Sequence, residues 1–349
     1  MDDADEFNLR SGIGSLITHQ TSSDAPLALL NHGAFGKAYD NCMKLSIELR
    51  VFAEQNPDLF YDQLLIPLLK HSYNVCSDFF GLKTPSNCVL VPNCTMGMKA
   101  VMDKLLLRKT STTCHGQKMQ QLIGQDVVNV GYVSPIYGAT KNLLKSYVAD
   151  HASKIKVTEI VPENFLFQED PELILKAIDQ ANANSESKLS VILCDEIASQ
   201  TGRILPLLEI AEYCEKRNII LVVDGTQSFE FTSSKIEKVD YWVMSTHKWI
   251  SNVKTCGVVL WGENVDCPEP PAVSFGYFNE NVQDRFLWTG MMDTYISYIV
   301  LAKALSMRRK YGERQIRHAS ELLRQGLQDV LHVQPLLESN GKTDINIFI

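Results

Sequence analysis

The nine cysteines include no Cys-x-x-Cys pair, and no apolar run reaches the roughly 18–20 residues that a membrane-spanning helix needs. The first absence argues against a zinc cluster or a redox motif, and the odd, scattered cysteines read as reduced thiols, so a cytoplasmic protein is expected. The second predicts a protein that does not span a membrane. Positive charge is also short: 33 Lys+Arg stand against 41 Asp+Glu, a net charge of -8. A binder of duplex DNA or of an anionic membrane surface usually carries a basic face, so neither is an expected partner. The opening MDDADEFNLRSGIGS has neither the basic start nor the apolar stretch of a signal peptide. No GxGxxG or GxxxxGK[ST] occurs, and Gly12-Ile13-Gly14 lies in a polar arm rather than after a strand, which leaves a nucleotide binder little support. Internal repeats and low-complexity tracts are missing too, which excludes solenoids and filaments.

What is present is an alternation of short apolar runs with helical periodicity. Two helical stretches, about 38–55 and 58–80, are divided by Asn56-Pro57. From 88 to 261 come the strand-like runs CVLV at 88, DVVNV at 126, LSVILC at 189, NIILVV at 218, YWVMS at 241 and CGVVLW at 256. Several are apolar at successive positions, as in strands covered by helices on both faces, so the pattern predicts a largely parallel, internal sheet whose ligand sits at the strand carboxyl ends. The interval 109–125, KTSTTCHGQKMQQLIGQ, reads as a surface insertion. From Asp293 the chain turns helical again, and Ile316, Leu323, Leu327 and Val330 mark an amphipathic helix to about His332. Two domains are expected at 349 residues, with an N-terminal arm at 1–37, a large domain at 38–280 and a smaller segment at 281–349.

Chemistry concentrates in two strand-turn segments. VDGTQS at 223–228 puts Asp224 at a strand end, and STHKW at 245–249 puts Lys248 just past the next. A carboxylate and an amine both projecting into the ligand crevice form either a structural ion pair or a ligand site. Pyridoxal phosphate (PLP) needs such a set: a lysine for the Schiff base, a carboxylate to keep the pyridine nitrogen protonated, and donors for the phosphate. Ser245 and His247 supply donors. A second anchor is suggested at VPNCTMG, 91–97, where a strand turns into a helix whose start suits a dianion; Thr95 there is a helix cap, a phosphate ligand or both.

With these motifs stand LNHGAFG at 30–36, IYGATK at 136–141, SQTGRILPLLEIA at 199–211 and RFLWTG at 285–290. In this order, over most of the chain, they resemble the fold-type I PLP enzymes of the class V aminotransferase group. Within that group the chain is similar to the isopenicillin N epimerase-like branch, close to cysteine desulfurases, cysteine desulfhydrases and hercynylcysteine sulfoxide lyases. The resemblance implies a three-layer αβα large domain with a mostly parallel sheet, followed by an incomplete small α+β domain. It makes Lys248 the Schiff-base and catalytic lysine, Asp224 the partner of the pyridine nitrogen and Gln227 a donor to the phenolate oxygen. Around the phosphate it places Thr95 with its neighbouring amides, including that of Cys94, together with Ser245 and His247. Thr289 would reach the site from a second subunit, hence an expected homodimer, and Tyr137 would stack on the cofactor ring or serve as an ordinary strand-end tyrosine.

Asn31 and His32 lie where the family brings its N-terminal loop to the substrate, with a plain loop histidine the alternative for His32. Two departures stand out. Trp288-Thr289-Gly290 continues as Met291-Met292-Asp293, without the family's polar residues, and the sequence stops at Ile349 in what reads as the first strand of the small domain. Either a fragment or short form is expected, lacking the region that usually carries the substrate-carboxylate arginine, or another element has to cover that strand. Arg285 and Arg203 are substitutes by charge alone, with surface salt bridging the ordinary use of each. The implied activity is PLP chemistry at the α-carbon of a small amino acid, with β-elimination from cysteine or a derivative ranked first. Epimerisation, transamination and a catalytically weak binding or regulatory homologue are the alternatives.

Overall fold

The computed structural model describes residues 32–107, 116–163, 170–184, 187–288 and 292–331. The chain divides into Met1–His32 and Gly33–Ile349, and the architecture below is that of the second unit. Two N-terminal helices, α1 (Asp40–Gln55) and α2 (Leu65–Phe80), are joined through a π-helical turn at Leu59–Leu64. Asn56-Pro57 ends α1 because proline disfavours helical backbone before it. Then β1 (Cys88–Val91), α3 (Cys94–Leu106), α4 (Gln117–Ile123), β2 (Val128–Val133), α5 (Gly138–His151), β3 (Ile155–Ile160), α6 (Pro171–Asn184), β4 (Val191–Asp195), α7 (Leu207–Lys216) and β5 (Ile220–Asp224) alternate. They are followed by β6 (Tyr241–Ser245), β7 (Gly257–Trp261), α8 (Val282–Leu287) and α9 (Met292–Leu331), the last interrupted at Gly312, where φ is 69°.

The seven strands form one sheet in the order β1-β7-β6-β5-β4-β2-β3. Strands β2 to β6 are parallel to their neighbours, and only β7 runs antiparallel, between β1 and β6. The period-two alternation of side chains sends successive strand residues to opposite cores. Ile192, Cys194, Leu221, Val223, Trp242 and Met244 join α1, α2, α7 and α9 in one cluster, whereas Val191, Leu193, Ile220, Val222, Tyr241 and Val243 pack with α3, α4 and α5 in the other. Both faces are covered, which is the three-layer arrangement expected from apolar runs without polar alternation. Parallel strands point their carboxyl ends the same way, so Val133, Asp195, Asp224 and Ser245 terminate on one side of the sheet.

Three expectations need correction. Strand β3, IKVTEI, was not among the predicted runs: it is an edge strand whose middle residues are only partly buried, so Lys156, Thr158 and Glu159 interrupt the apolar signal. The predicted surface insertion at 109–125 contains α4, whose Lys118, Met119 and Leu122 are buried; residues 108–115 lie outside the described ones. Arg203 is buried at 6% exposure, not a surface arginine, because the Ile197–Ile204 bridge folds its segment back on the strand ends. The side chains of Ile316, Leu323, Leu327 and Val330 fall outside the described ones, although the helix backbone does run to Leu331. Among the described residues no helix is long and apolar enough to cross a membrane.

Candidate active site

At the carboxyl ends of the parallel strands lies a cavity of about 290 Å³. Of the residues expected from sequence, the structure brings Lys248, Asp224, Gln227, Ser245, His247, Cys94, Thr95 and Tyr137 together on its wall. Each arrives by a local rule. The fully buried run Ile220–Asp224 ends at the only charged residue of β5, and Gly225 turns the chain beneath Trp242, where a Cβ would stand 2.3 Å from the indole. The turn after β6 is tied at both ends, with Thr246 N–H donating to Cys256 O at 3.0 Å and Asn252 N–H to Thr246 O at 3.2 Å. Just past Lys248, Ser251 adopts φ 54°, a left-handed backbone held there by Ser251 N–H donating to Lys248 O at 2.9 Å.

Helix α3 opens the opposite wall. Its cap is Asn93, whose side chain accepts from Met96 N–H at 2.9 Å, so Thr95 is not the cap and its exposed side chain faces the cavity. Cys94 N–H donates to Ser245 Oγ at 3.0 Å, and Ser245 N–H to Thr226 Oγ1 at 3.2 Å, which stitches these three segments into one surface. Thr226 also donates its N–H to Asp224 Oδ1 at 2.9 Å. Burial pushes the Lys248 amine below the ordinary lysine range, opposed chiefly by the negative charge of Asp224. Burial pushes the Cys94 thiol well up, with Asp224 adding to the effect, so it stays protonated.

Gln227, on the same wall, also ties two segments together. Its Nε2 donates to Gly33 O at 2.9 Å and its Oε1 accepts from Trp249 Nε1–H at 2.9 Å, so the amide ties the loop at 33–36 to the lysine turn. Gly36, with φ 64°, lets that loop lie on the turn: a Cβ there would meet His247 O at 1.8 Å. Tyr137 lines the mouth with 47% of its surface exposed, beside Phe35. Arg285 lines a different cavity with Glu280, Asp266 and Cys267, and its Nε donates to Asn279 O at 2.6 Å. Asn31 and Thr289 lie outside the described residues, and His32 ends the Met1–His32 unit.

Sequence reasoning missed Asp195, Thr226 and Thr140, all on the cavity wall. Asp195 ends β4 in register with Asp224 of β5 and is 3% exposed, with its Oδ1 buried and without a hydrogen-bond partner. The signal was available only through strand pairing: LCDEIA reads as an apolar run closing on acids, and nothing in it says that two strand ends will coincide.

Against known proteins, residues 166–346, just over half the chain, match the family model for aminotransferase class V. The chain belongs to the class V aminotransferase family, whose cofactor is PLP. It is 21% identical over 296 residues to the hercynylcysteine sulfoxide lyase of Schizosaccharomyces pombe, covering 81% of this chain and 68% of that one. A shorter match, 29% identical over 105 residues, is to the isopenicillin N epimerase of Amycolatopsis lactamdurans, covering 29% and 26% of the two chains. Another, 20% identical over 229 residues, is to a probable chloroplastic L-cysteine desulfhydrase of Arabidopsis thaliana, covering 65% of this chain and 46% of that one. Among solved structures, a mutant of C-DES with glycine covalently linked to its PLP cofactor superimposes with a TM-score of 0.69 at 18% identity, covering 92% and 83%. The chain thus spans between about a quarter and two thirds of these curated relatives.

The residues present fit the cofactor. A buried carboxylate, an amine with a lowered pKa and a helix start bridged to Ser245 share a cavity whose wall also carries a buried carboxyl oxygen lacking a partner. That donor and acceptor set suits a flat cation with a dianionic arm.

Proposed function

We infer that the protein is a PLP-dependent enzyme working at the α-carbon of a small amino acid, by β-elimination of sulfur from cysteine or a cysteine derivative. The observation that carries this reading is the convergence of Lys248 and Asp224 on one cavity with the start of α3 and Ser245. When bound, the cofactor supplies an electron sink for a carbanion at the α-carbon. Lys248, its amine shifted toward the neutral form by burial, takes the α-proton as general base. Asp224, fixed by the Thr226 amide, holds the proton of the ring nitrogen. Thr95, Ser245, His247 and the first-turn amides of α3, that of Cys94 included, would hold the phosphate, and Tyr137 would stack on the ring.

Lysis is favoured over sulfur transfer by the thiols. A transferring cysteine has to be nucleophilic and reachable, whereas Cys42, Cys76, Cys88, Cys94, Cys194, Cys214 and Cys256 are buried, and among the described cysteines only Cys267 is partly exposed. The relatives named as a lyase and a desulfhydrase support the same choice. A homodimer in the cytoplasm, with Thr289 reaching the partner's cavity, completes the reading.

The test is a visible spectrum of the purified protein with added PLP. A band that borohydride fixes to the Lys248 peptide, absent from Lys248→Ala, is expected. Incubation with cysteine or its S-substituted derivatives should then release pyruvate, ammonia and the sulfur fragment in equal amounts. No fixable band would overturn the cofactor reading; loss of α-hydrogen to solvent without pyruvate would replace lysis by epimerisation.

A further inference from the structure

Two carboxyl groups stand side by side at the sheet's carboxyl edge, and the chemistry above uses only one of them. Asp195 and Asp224 are register partners on adjacent parallel strands, 3% and 6% exposed, and both line the cavity. Two like charges so close in a dry site cannot both be accommodated, so such a pair retains one proton over a wide pH range and titrates as a unit. The surroundings decide which partner carries it. Burial raises the Asp224 carboxyl as well, but its Oδ1 accepts from the Thr226 amide at 2.9 Å, and the Thr226 and Cys94 side chains and Lys248 also favour its anion. Asp195 receives only the Tyr137 backbone N–H and the more weakly felt charge of Lys248, and its Oδ1 has no partner at all.

We propose that Asp195 carries the proton of an Asp195–Asp224 pair and presents a neutral carboxyl O–H to the cavity, as the donor that binds an anionic oxygen of the occupant. The consequence is electrostatic economy. Asp224 alone remains as the anion opposite a ring cation, and the second strand end offers a donor instead of a repelling charge. The facing groups agree: Lys248 comes from the turn after β6, Cys94 from the start of α3 and the Tyr137 amide from the start of α5, while Cys194, its neighbour along β4, lies on the sheet's other face. The next acid, Glu196, is engaged elsewhere, by Lys235 and the Ser228 hydroxyl. Burial, with Asp224 next, pushes the Asp195 carboxyl well above the ordinary carboxylate range. The anionic oxygen belongs either to the ring of PLP or to the carboxylate of the amino acid; only this choice rests on the cofactor reading.

Infrared spectroscopy of the cofactor-free, full-length protein reads the proton directly. At neutral pH the wild type minus Asp195→Asn difference should contain the carbonyl stretch of a neutral carboxyl group, and in Asp224→Asn that band should disappear at a lower pH, because the neighbouring anion is gone. An amide can donate where a protonated acid does, so Asp195→Asn should bind like the wild type. Asp195→Ala should lose about 10- to 100-fold in affinity, the worth of a hydrogen bond to a charged group. If PLP binding carries the loss, the oxygen is the cofactor's; if PLP binding holds and half-saturation by the amino acid moves, it is the substrate's. Absence of the wild-type band, or equal losses in the Asn and Ala variants, overturns the proposal. A wild-type band in a protein that binds no PLP overturns the cofactor reading and leaves the shared proton standing.

Discussion

Lys248 shows how the setting of one residue fixes its chemistry. Its turn is held by backbone bonds from Ser251 and Asn252, and burial lowers its pKa against the pull of Asp224. Because the folded value lies below the unfolded one, about 10.4, the charged amine costs stability at neutral pH, and that cost fades as pH rises toward the unfolded value. The same shift raises the fraction of neutral, reactive amine near pH 7. In competitive acylation of the cofactor-free protein, Lys248 should therefore reach half-reactivity at a lower pH than the side chain of a free lysine peptide, and Asp224→Asn should lower that pH further by removing an anion that favours the charged form. Coincident profiles for Lys248 and the peptide would show that the turn leaves the amine hydrated.

At the scale of elements, legibility followed burial symmetry. Strands β1, β4, β5, β6 and β7 announce themselves because both their faces are covered, and a continuous apolar run survives in the sequence. Strand β3 does not, since its solvent side carries the charges. Helix α4 was hidden for a different reason: beside Met119 and Leu122 its buried face carries a lysine, a residue type that ordinarily marks a surface. Lys118 is instead 5% exposed, with its Nζ 2.9 Å from Asp240 Oδ2 and 3.0 Å from Glu215 Oε2. Asp240 also accepts the Leu221 N–H at 2.8 Å, so this one carboxylate joins α4 to the start of β5. Polar pairing across 122 residues is invisible to local pattern. Asp240→Asn should destabilise the protein by about 3 kcal/mol, because removing one member of a buried pair strands the other. Urea unfolding should show a lower midpoint at unchanged slope, and an unshifted midpoint would mean that Glu215 alone suffices for Lys118. The site divides in the same way: Asp224 and Lys248 could be read from strand ends, whereas Asp195 needed the pairing of β4 with β5.

For the molecule as a whole, the instructive surface is the stretch before α8. Phe275 is 95% exposed, Phe278 90% and Val273 73%, whereas the core keeps its large apolar side chains almost wholly covered. Phe275 stands edge-on to Trp288 with ring centroids 6.2 Å apart, and Trp288 directly precedes Thr289, the residue that the proposed dimer sends into its partner. Large exposed apolar side chains are the usual material of contact surfaces, so this stretch is where the proposed dimer is tested. Its place in the chain just before Thr289 is what motivates the test, since the proposed dimer assigns Thr289 to the partner's cavity. The double variant Phe275→Asp/Phe278→Asp should therefore sediment as a single chain where the wild type sediments as two. It should bind PLP more weakly although no residue lining the Lys248 cavity has changed. A variant that stays dimeric would place the subunit contact elsewhere; one that becomes monomeric with PLP affinity intact would show that each cavity is complete within its own chain.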